Sequence, residues 1–190
     1  MARWVRSPGT VVGDFHVFRV LKHDMARDGG APLPIYTLSG GDWCNVVPIT
    51  REGQLVLIKQ HRFGTNASSI EIPGGVIDPG EEPIVAARRE LLEETGYQCD
   101  DLVPLGVLHP NPALQANRIH MFLARGCRPH AAGQALEELE DCEVMVVDRA
   151  ELEALLDRGE IDHALIWAAL HAFHRFEQRE LRERGERGER

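Results

Sequence analysis

Three glutamates, Glu90, Glu93 and Glu94, fall within five positions of one another in the segment ARRELLEET. On a helix that turns about 100° per residue, Glu94 lies about 40° and Glu93 about 60° from Glu90, on opposite sides. One side of such a helix would present three carboxylates, which repel one another by a few tenths of a kcal/mol per pair. A hard divalent cation held by carboxylate oxygens would reverse that cost, whereas a solvated helix face is the alternative interpretation.

The helix that carries these glutamates has a start signal and a stop signal. Pro83 suits the first turn, where its missing N–H does no harm, and Gly96 suits the left-handed position just past the end. Between them the pattern predicts about three turns of helix. Leu91 belongs to an apolar side that can pack on a sheet.

The rest of the chain supplies strands and two further helices. WCNVVPIT and QLVLIKQHRF flank a short polar link, which is typical of a β-hairpin. More strands follow the acidic helix, and RAELEALLDRG and IDHALIWAALHAFHRF predict C-terminal helices. We therefore predict an α/β (α+β) sandwich with a mixed β-sheet. Neither G-x-G-x-x-G after a strand nor G-x-x-x-x-G-K-[ST] is present, which argues against dinucleotide-binding and P-loop folds.

Three regions follow from this pattern. Residues 1–40 form an N-terminal β-strand region, residues 41–178 form the main domain, and residues 179–190 form a charged tail that extends the last helix and frays.

Composition excludes several classes of partner. The net charge of −9 argues against nucleic acid or an anionic membrane surface as a partner. The four cysteines show no C-x-x-C pair, and neither a signal peptide nor a run of about 20 apolar residues is evident. We expect a cytoplasmic protein with free thiols.

The spacing of the acidic helix and the loop before it resembles the Nudix box, G-x5-E-x7-R-E-U-x-E-E-x-G-U, where U is a bulky apolar residue. The stretch GVIDPGEEPIVAARRELLEETGY matches every fixed position, with Tyr97 in place of the usual aliphatic residue. The resemblance implies an α/β/α sandwich and Mg²⁺- or Mn²⁺-dependent hydrolysis of a nucleoside diphosphate linked to another group.

The resemblance also implies roles for the residues of the box. The expected metal ligands are the Gly74 carbonyl, Glu90, Glu94 and Glu93, and Glu93 is also a candidate catalytic residue that takes a proton from the attacking water. The residues expected to support the loop are Gly75, Glu81, Arg89 and Gly96.

The segment ahead of the box resembles the ADP-ribose and nucleoside diphosphate sugar pyrophosphatase branch. QHRFG and EIPGG match that branch's Q-x-R-x-G and E-x-P-A-G, with Gly74 in the place of alanine. Arg62 would then hold a substrate phosphate, and Glu71 belongs to the same substrate-binding set. A structural ion pair is the alternative role for Arg62.

Two downstream segments complete the expected site. HPNPALQANR has a proline near the branch's expected place but no S-P-G, and its Asn111 and Arg118 are candidates for binding the sugar or phosphate. In EELEDCEVMVV the resemblance places Glu138, or Glu137 in the alternative register, as the catalytic base and Glu140 as a further metal ligand. A solvated acidic loop is the alternative.

The expected function is Mg²⁺-dependent hydrolysis of the pyrophosphate bond of a nucleoside diphosphate sugar, such as ADP-ribose or GDP-mannose. The alternatives are a non-catalytic nucleotide-sugar sensor and a nucleoside triphosphate sanitising enzyme. Members of the branch dimerise through their N-terminal strands, and VVGDFHVFRVL is the segment expected to serve a homodimer.

Overall fold

The computed structural model describes residues 2–188, with side chains through residue 185. The contacts of the chain group it into two compact units. Unit 1 contains the chain up to Asp42 together with Leu108–Arg118, and unit 2 contains Trp43–Val107 and the chain from Ile119 onward. The last two residues of the predicted tail, 189 and 190, lie outside the described residues.

Unit 1 is built on a four-stranded antiparallel sheet. Its strands are β1 (Trp4–Arg6), β2 (Thr10–Asp14), β3 (Arg19–Arg27) and β4 (Leu33–Ser39). The long strand β3 pairs with the other three. Trp4 and Val5 of β1 and Val12 of β2 remain more than half exposed.

Unit 2 contains a seven-stranded mixed sheet. Its strands are β5 (Trp43–Thr50), β6 (Leu55–Arg62), β7 (Ala67–Glu71), β8 (Tyr97–Gln98), β9 (Asp101–Leu108), β10 (Ile119–Pro129) and β11 (Glu143–Val147). Strands β5 and β10 run parallel, whereas β6 pairs antiparallel with β5, β7 and β11. The predicted hairpin is present, since Ile49 at the end of β5 pairs with Leu55 at the start of β6.

Three helices cover this sheet in the described part of the chain: α1 (Pro83–Thr95), α2 (Arg149–Asp157) and α3 (Ala164–Gly188). Alternate residues of the central strands face opposite layers. Val46 and Phe122 belong to the core beneath α1, whereas Val47 and Leu123 belong to the core beneath α2 and α3. The predicted sandwich with a mixed sheet is confirmed.

The ends of α1 form as their sequence signals predict. Pro83 occupies the first turn, and Gly96 adopts the left-handed conformation with φ of 70° while its N–H bonds to the Leu92 carbonyl. Leu91 is fully buried in the core beneath α1. Among the described helices, none is both long and apolar enough to span a membrane.

Candidate active site

Two glycines bring the loop before α1 close to both the sheet and the helix. The Pro73 and Gly75 carbonyls accept hydrogen bonds from the Val46 and Cys44 N–H groups of β5, both at 2.9 Å. A Cβ atom on Gly74 would lie 2.2 Å from the Cys44 carbonyl oxygen, and one on Gly75 would lie 2.5 Å from Glu90 Oε1. At Gly74 the close contact is with backbone, so only glycine permits it, whereas a larger residue at position 75 would have to displace the Glu90 carboxylate.

Four carboxylates, those of Glu81, Glu90, Glu93 and Glu94, form what is here called the carboxylate cluster. Arg89 bonds to the first three of them. Its Nε and Nη2 atoms bond to the two oxygens of Glu81 at 3.1 and 3.0 Å. Its Nη1 atom bonds to Glu90 Oε1 at 2.8 Å and to Glu93 Oε2 at 3.0 Å. Nη2 also reaches the Val76 carbonyl. Arg89 therefore connects the loop to the helix through Glu81 and the Val76 carbonyl, and it also contacts two candidate metal ligands.

Glu90 and Glu94 are buried carboxylates, with exposed fractions of 6% and 3%. Burial, which penalises the charged form, raises the pKa of Glu90 to about 7 and the pKa of Glu94 to about 8. Arg89 opposes the shift at Glu90, and the Gly74 N–H, 2.7 Å from Glu94 Oε2, opposes the shift at Glu94. The negative charge of Glu140 adds to both increases.

The donor set fits a hard divalent cation by its chemistry. Two buried carboxylates that repel each other are costly unless a positive charge compensates them. Within residues 2–188, however, no group of three or more His, Cys, Asp or Glu side chains has an arrangement that could hold a metal ion. In the folded chain Arg89 binds Glu90 and Glu93, while the Gly74 N–H binds Glu94.

Arg62 and Glu71 form a two-pronged ion pair across β6 and β7. Arg62 Nε bonds to Glu71 Oε1 and Nη2 to Oε2, both at 2.7 Å. Glu71 is almost wholly buried, while 43% of the Arg62 side chain stays exposed. Gln60 lies two residues before Arg62 on β6, and its buried Nε2 has no hydrogen-bond partner among the described residues. The hydrogen bond to Glu71 is the main cause that raises the pKa of Arg62, and the negative charge of Glu94 adds to the increase.

The acidic segment before β11 contains Glu137, Glu138 and Glu140, and the residues just before it bond to the C-terminal turn of α1. Glu140 is partly buried, whereas Glu137 and Glu138 are exposed. Glu140 Oε2 accepts a hydrogen bond from the Glu137 N–H at 2.9 Å. Of the three predicted acidic residues, Glu140 is the one whose charge raises the pKa of both Glu90 and Glu94.

Sequence analysis missed two residues beside the cluster. Cys142 donates its thiol hydrogen to Glu94 Oε1 at 3.9 Å, and burial raises the pKa of that thiol to about 12. Gln134 Nε2 bonds to the backbone carbonyls of Glu94 and Cys142. Neither residue belongs to a spacing pattern, so no sequence signal points to them.

Asn111 and Arg118 belong to unit 1. The Asn111 carbonyl accepts hydrogen bonds from the Leu114 and Gln115 N–H groups, which makes a turn, and the Arg118 N–H bonds to Asp42 Oδ1 at 2.7 Å. Both side chains are exposed. The segment between them contributes to the lining of a cavity of about 480 Å³ within unit 1. Their role in substrate binding stays a prediction.

Comparison with solved structures identifies the fold. A crystal structure of an ADP compounds hydrolase superposes with a TM-score of 0.82, covering 94% of this chain and 96% of that chain, at 23% sequence identity.

This chain is similar to a number of characterised proteins, including the following three. The methanol dehydrogenase activator of Bacillus methanolicus is 36% identical over 107 residues, 55% of this chain and 58% of the relative. The ADP-ribose pyrophosphatase of Bacillus subtilis is 34% identical over 116 residues, 61% of this chain and 63% of the relative. The GDP-mannose pyrophosphatase of Citrobacter koseri is 29% identical over 161 residues, 78% of this chain and 82% of the relative. The chain thus spans about three fifths of the length of the first two.

The family model of the NUDIX domain matches residues 44–170. This span is more than half of the 190-residue chain and contains the whole of the loop and helix that carry the carboxylate cluster. The chain belongs to the NUDIX family.

Proposed function

We propose that this protein hydrolyses the pyrophosphate bond of a nucleoside diphosphate sugar in a Mg²⁺-dependent reaction, giving a nucleoside monophosphate and a sugar phosphate. The observation that carries the proposal is the burial of Glu90 and Glu94 side by side, with a glycine loop pressed against them. Two buried carboxylates that lie close together favour the binding of a cation, because its positive charge compensates their repulsion. The names of two relatives, an ADP-ribose pyrophosphatase and a GDP-mannose pyrophosphatase, support the substrate class.

A divalent cation would supply positive charge for the diphosphate oxygens and make a bound water nucleophilic. The residues that would hold it are Glu90, Glu94, Glu93, Glu140 and the Gly74 carbonyl. Arg89 orients Glu90 and Glu93 through its bonds to both. Its own position is fixed by Glu81.

The proton of the attacking water needs a carboxylate acceptor. Glu93 is 35% exposed and lies beside buried Glu90 on the solvent side of α1, so it can meet water directly. Glu138 and Glu137 are the other proposed bases, because both are exposed in the acidic segment.

Arg62 is the proposed phosphate ligand, with Glu71 as its orienting partner. The pair uses Nε and Nη2 of the guanidinium, and nearly half of the Arg62 side chain faces solvent. A planar guanidinium held in this way can bond to a phosphate oxygen without losing its partner. We propose Asn111 and Arg118 as further contacts to the sugar or phosphate.

We further propose a cytoplasmic homodimer that forms through the N-terminal sheet. The exposed apolar side chains of β1 and β2 support the interface, since an apolar surface of this kind favours a protein partner. Four buried free thiols suit a reducing compartment.

Hydrolysis of a substrate panel with Mg²⁺ and with Mn²⁺ tests the proposal. The panel contains ADP-ribose, ADP-glucose, GDP-mannose, UDP-glucose, a dinucleoside polyphosphate and dGTP, with identification of the products. We expect preference for one nucleoside diphosphate sugar and a loss of at least about a hundredfold in Glu94→Gln with an unchanged circular dichroism spectrum. Preference for dGTP would indicate a sanitising enzyme, and tight binding without turnover would indicate a sensor.

A further inference from the structure

The segment of residues 130–142, here called the acidic-loop segment, is fastened to the C-terminal end of α1. The His130 N–H donates to the Gly96 carbonyl at 2.7 Å, and the Ala135 N–H donates to the Glu93 carbonyl at 2.9 Å. These bonds satisfy backbone carbonyls that the end of a helix leaves without intrahelical partners. The segment therefore runs beside the same turn of α1 that presents Glu93 and Glu94.

Gln134 makes a bridge within this arrangement. Its Nε2 atom lies 2.6 Å from the Glu94 carbonyl oxygen and 2.8 Å from the Cys142 carbonyl oxygen. An amide nitrogen has two hydrogens, and here both are used. The reversed amide would set its oxygen against two carbonyl acceptors, so the two contacts fix the orientation of the side chain.

The bridge ties together the two ends of a short span that contains Glu140. Gln134 precedes Glu140 by six residues, and Cys142 follows it by two. At the Cys142 end the thiol also reaches Glu94 Oε1, while Glu140 itself is oriented by the Glu137 N–H. The contacts of Ala135 and Cys142 with α1 place this span beside the carboxylate cluster. Burial is the main cause that raises the pKa of Glu90 and Glu94, and the negative charge of Glu140 adds to both increases.

We propose that Gln134 is a positioning residue, which holds the acidic-loop segment against α1 so that the Glu140 carboxylate joins Glu90 and Glu94 in one cation site. The inference rests on the proposed function, because Gln134 can matter for turnover only if the protein is a cation-dependent hydrolase. Its direct consequence is for cation binding, which can be measured without a substrate. Side chains that orient metal ligands typically contribute 10- to 100-fold to affinity.

The test measures the binding of Mn²⁺ to the Gln134→Met variant through the electron paramagnetic resonance signal of free Mn²⁺. Methionine keeps the length of the side chain but has no donor for either carbonyl. We expect an increase in Kd for Mn²⁺ of about tenfold or more, with little change in the KM for the sugar nucleotide. Gln178→Met, at an exposed position of α3, is the matched control and should bind Mn²⁺ as the unmodified protein does.

A double-mutant cycle with Glu140→Gln separates positioning from a general loss of structure. If Gln134 acts through Glu140, the double variant should bind Mn²⁺ no more weakly than Glu140→Gln alone. Additive losses, or unchanged Mn²⁺ binding in Gln134→Met, would overturn the proposal, as would an unmodified protein that binds no Mn²⁺. Gln134→Ala provides the same cycle if the methionine variant does not fold. If only the proposed function is wrong, the Mn²⁺ affinities in the cycle would follow the expected pattern, but the protein would not hydrolyse a sugar nucleotide.

Discussion

Glu94 shows at the scale of one residue how a functional site opposes stability. The residue is only 3% exposed, and the negative charges of Glu90 and Glu140 lie near its carboxylate, which accepts a hydrogen bond from the Gly74 N–H. Burial of a charge without full compensation is unfavourable. The proposed cation site would use the same arrangement. The burial of these carboxylates would then lower the stability of the metal-free protein and favour the binding of the proposed cation.

This opposition predicts a pH dependence of stability in the metal-free protein. Burial raises the pKa of Glu94 in the folded state to about 8. The contribution of Glu94 to the free energy of unfolding is therefore most favourable below its ordinary pKa of 4.5 and is lost as the pH rises toward 8. Glu94→Gln removes this titration. In EDTA we expect the variant to melt at about the same temperature as the unmodified protein at pH 4, and at least about 3 °C higher at pH 8.5. Equal melting temperatures at both pH values would contradict the assignment.

Gly75 allows a second test at the scale of one residue. A methyl group there would lie 2.5 Å from Glu90 Oε1, so Gly75→Ala must displace the carboxylate. We expect at least a tenfold weaker Mn²⁺ affinity, measured by titration, because Glu90 is a proposed ligand. Gly185→Ala is the control, since a Cβ atom at that exposed helical position meets nothing within 4 Å. Equal affinities in the two variants would contradict a ligand role for Glu90.

At the scale of elements, the end of α1 and the acidic-loop segment form one unit of structure. Gly96 ends the helix in the left-handed conformation, and a Cβ atom there would lie 2.9 Å from the Gly133 carbonyl carbon and 3.0 Å from the Gln134 nitrogen. The glycine therefore serves two needs. One is the backbone conformation, and the other is the close approach of the segment that carries Gln134.

Gly159 follows α2 and also has a left-handed backbone, with φ of 69°, so it allows the cost of the backbone conformation to be measured by itself. A Cβ atom on Gly159 meets nothing within 4 Å, so Gly159→Ala should cost only the left-handed penalty of about 1–2 kcal/mol. Gly96→Ala should lower the free energy of unfolding by a further 1–3 kcal/mol or so, because the two backbones must separate. Urea unfolding of the two variants measures the difference. Equal losses would show that the approach of residues 133 and 134 is not under constraint.

At the scale of the whole molecule, the oligomeric state is the open structural prediction. Val12 on β2 is 52% exposed, and neighbouring Val11 and Phe15 are also exposed. Val12→Lys should convert the proposed homodimer to a monomer, because a charge would be buried at the interface. Val107→Lys, at a valine of β9 with 50% exposure, is the control and should remain a dimer. Sedimentation velocity distinguishes the outcomes, and a monomeric unmodified protein would contradict the prediction.

The sequence by itself determined the family, the order of the main elements and the bounds of the acidic helix. Local chemistry explains this success. Pro83 and Gly96 act within the chain segment that they terminate, and the spacing of Glu90, Glu93 and Glu94 fixes their angular positions as soon as a helix forms. The apolar runs of β5 and β6 likewise suit strands that are buried on both faces between two layers of helix.

Only the tertiary structure decided what each carboxylate contacts. Arg89 binds Glu81, Glu90 and Glu93 at the same time because the loop folds back on α1. The i,i+4 spacing favours its contact with Glu93, but the spacing does not show that one guanidinium holds all three carboxylates. Gln134 reaches Glu94 across 40 residues of sequence, and Arg62 meets Glu71 across a strand pair. Burial, which raises the pKa of Glu90 and Glu94, depends on every element packed around them. Long-range packing is set by the whole chain, so these features were beyond local pattern.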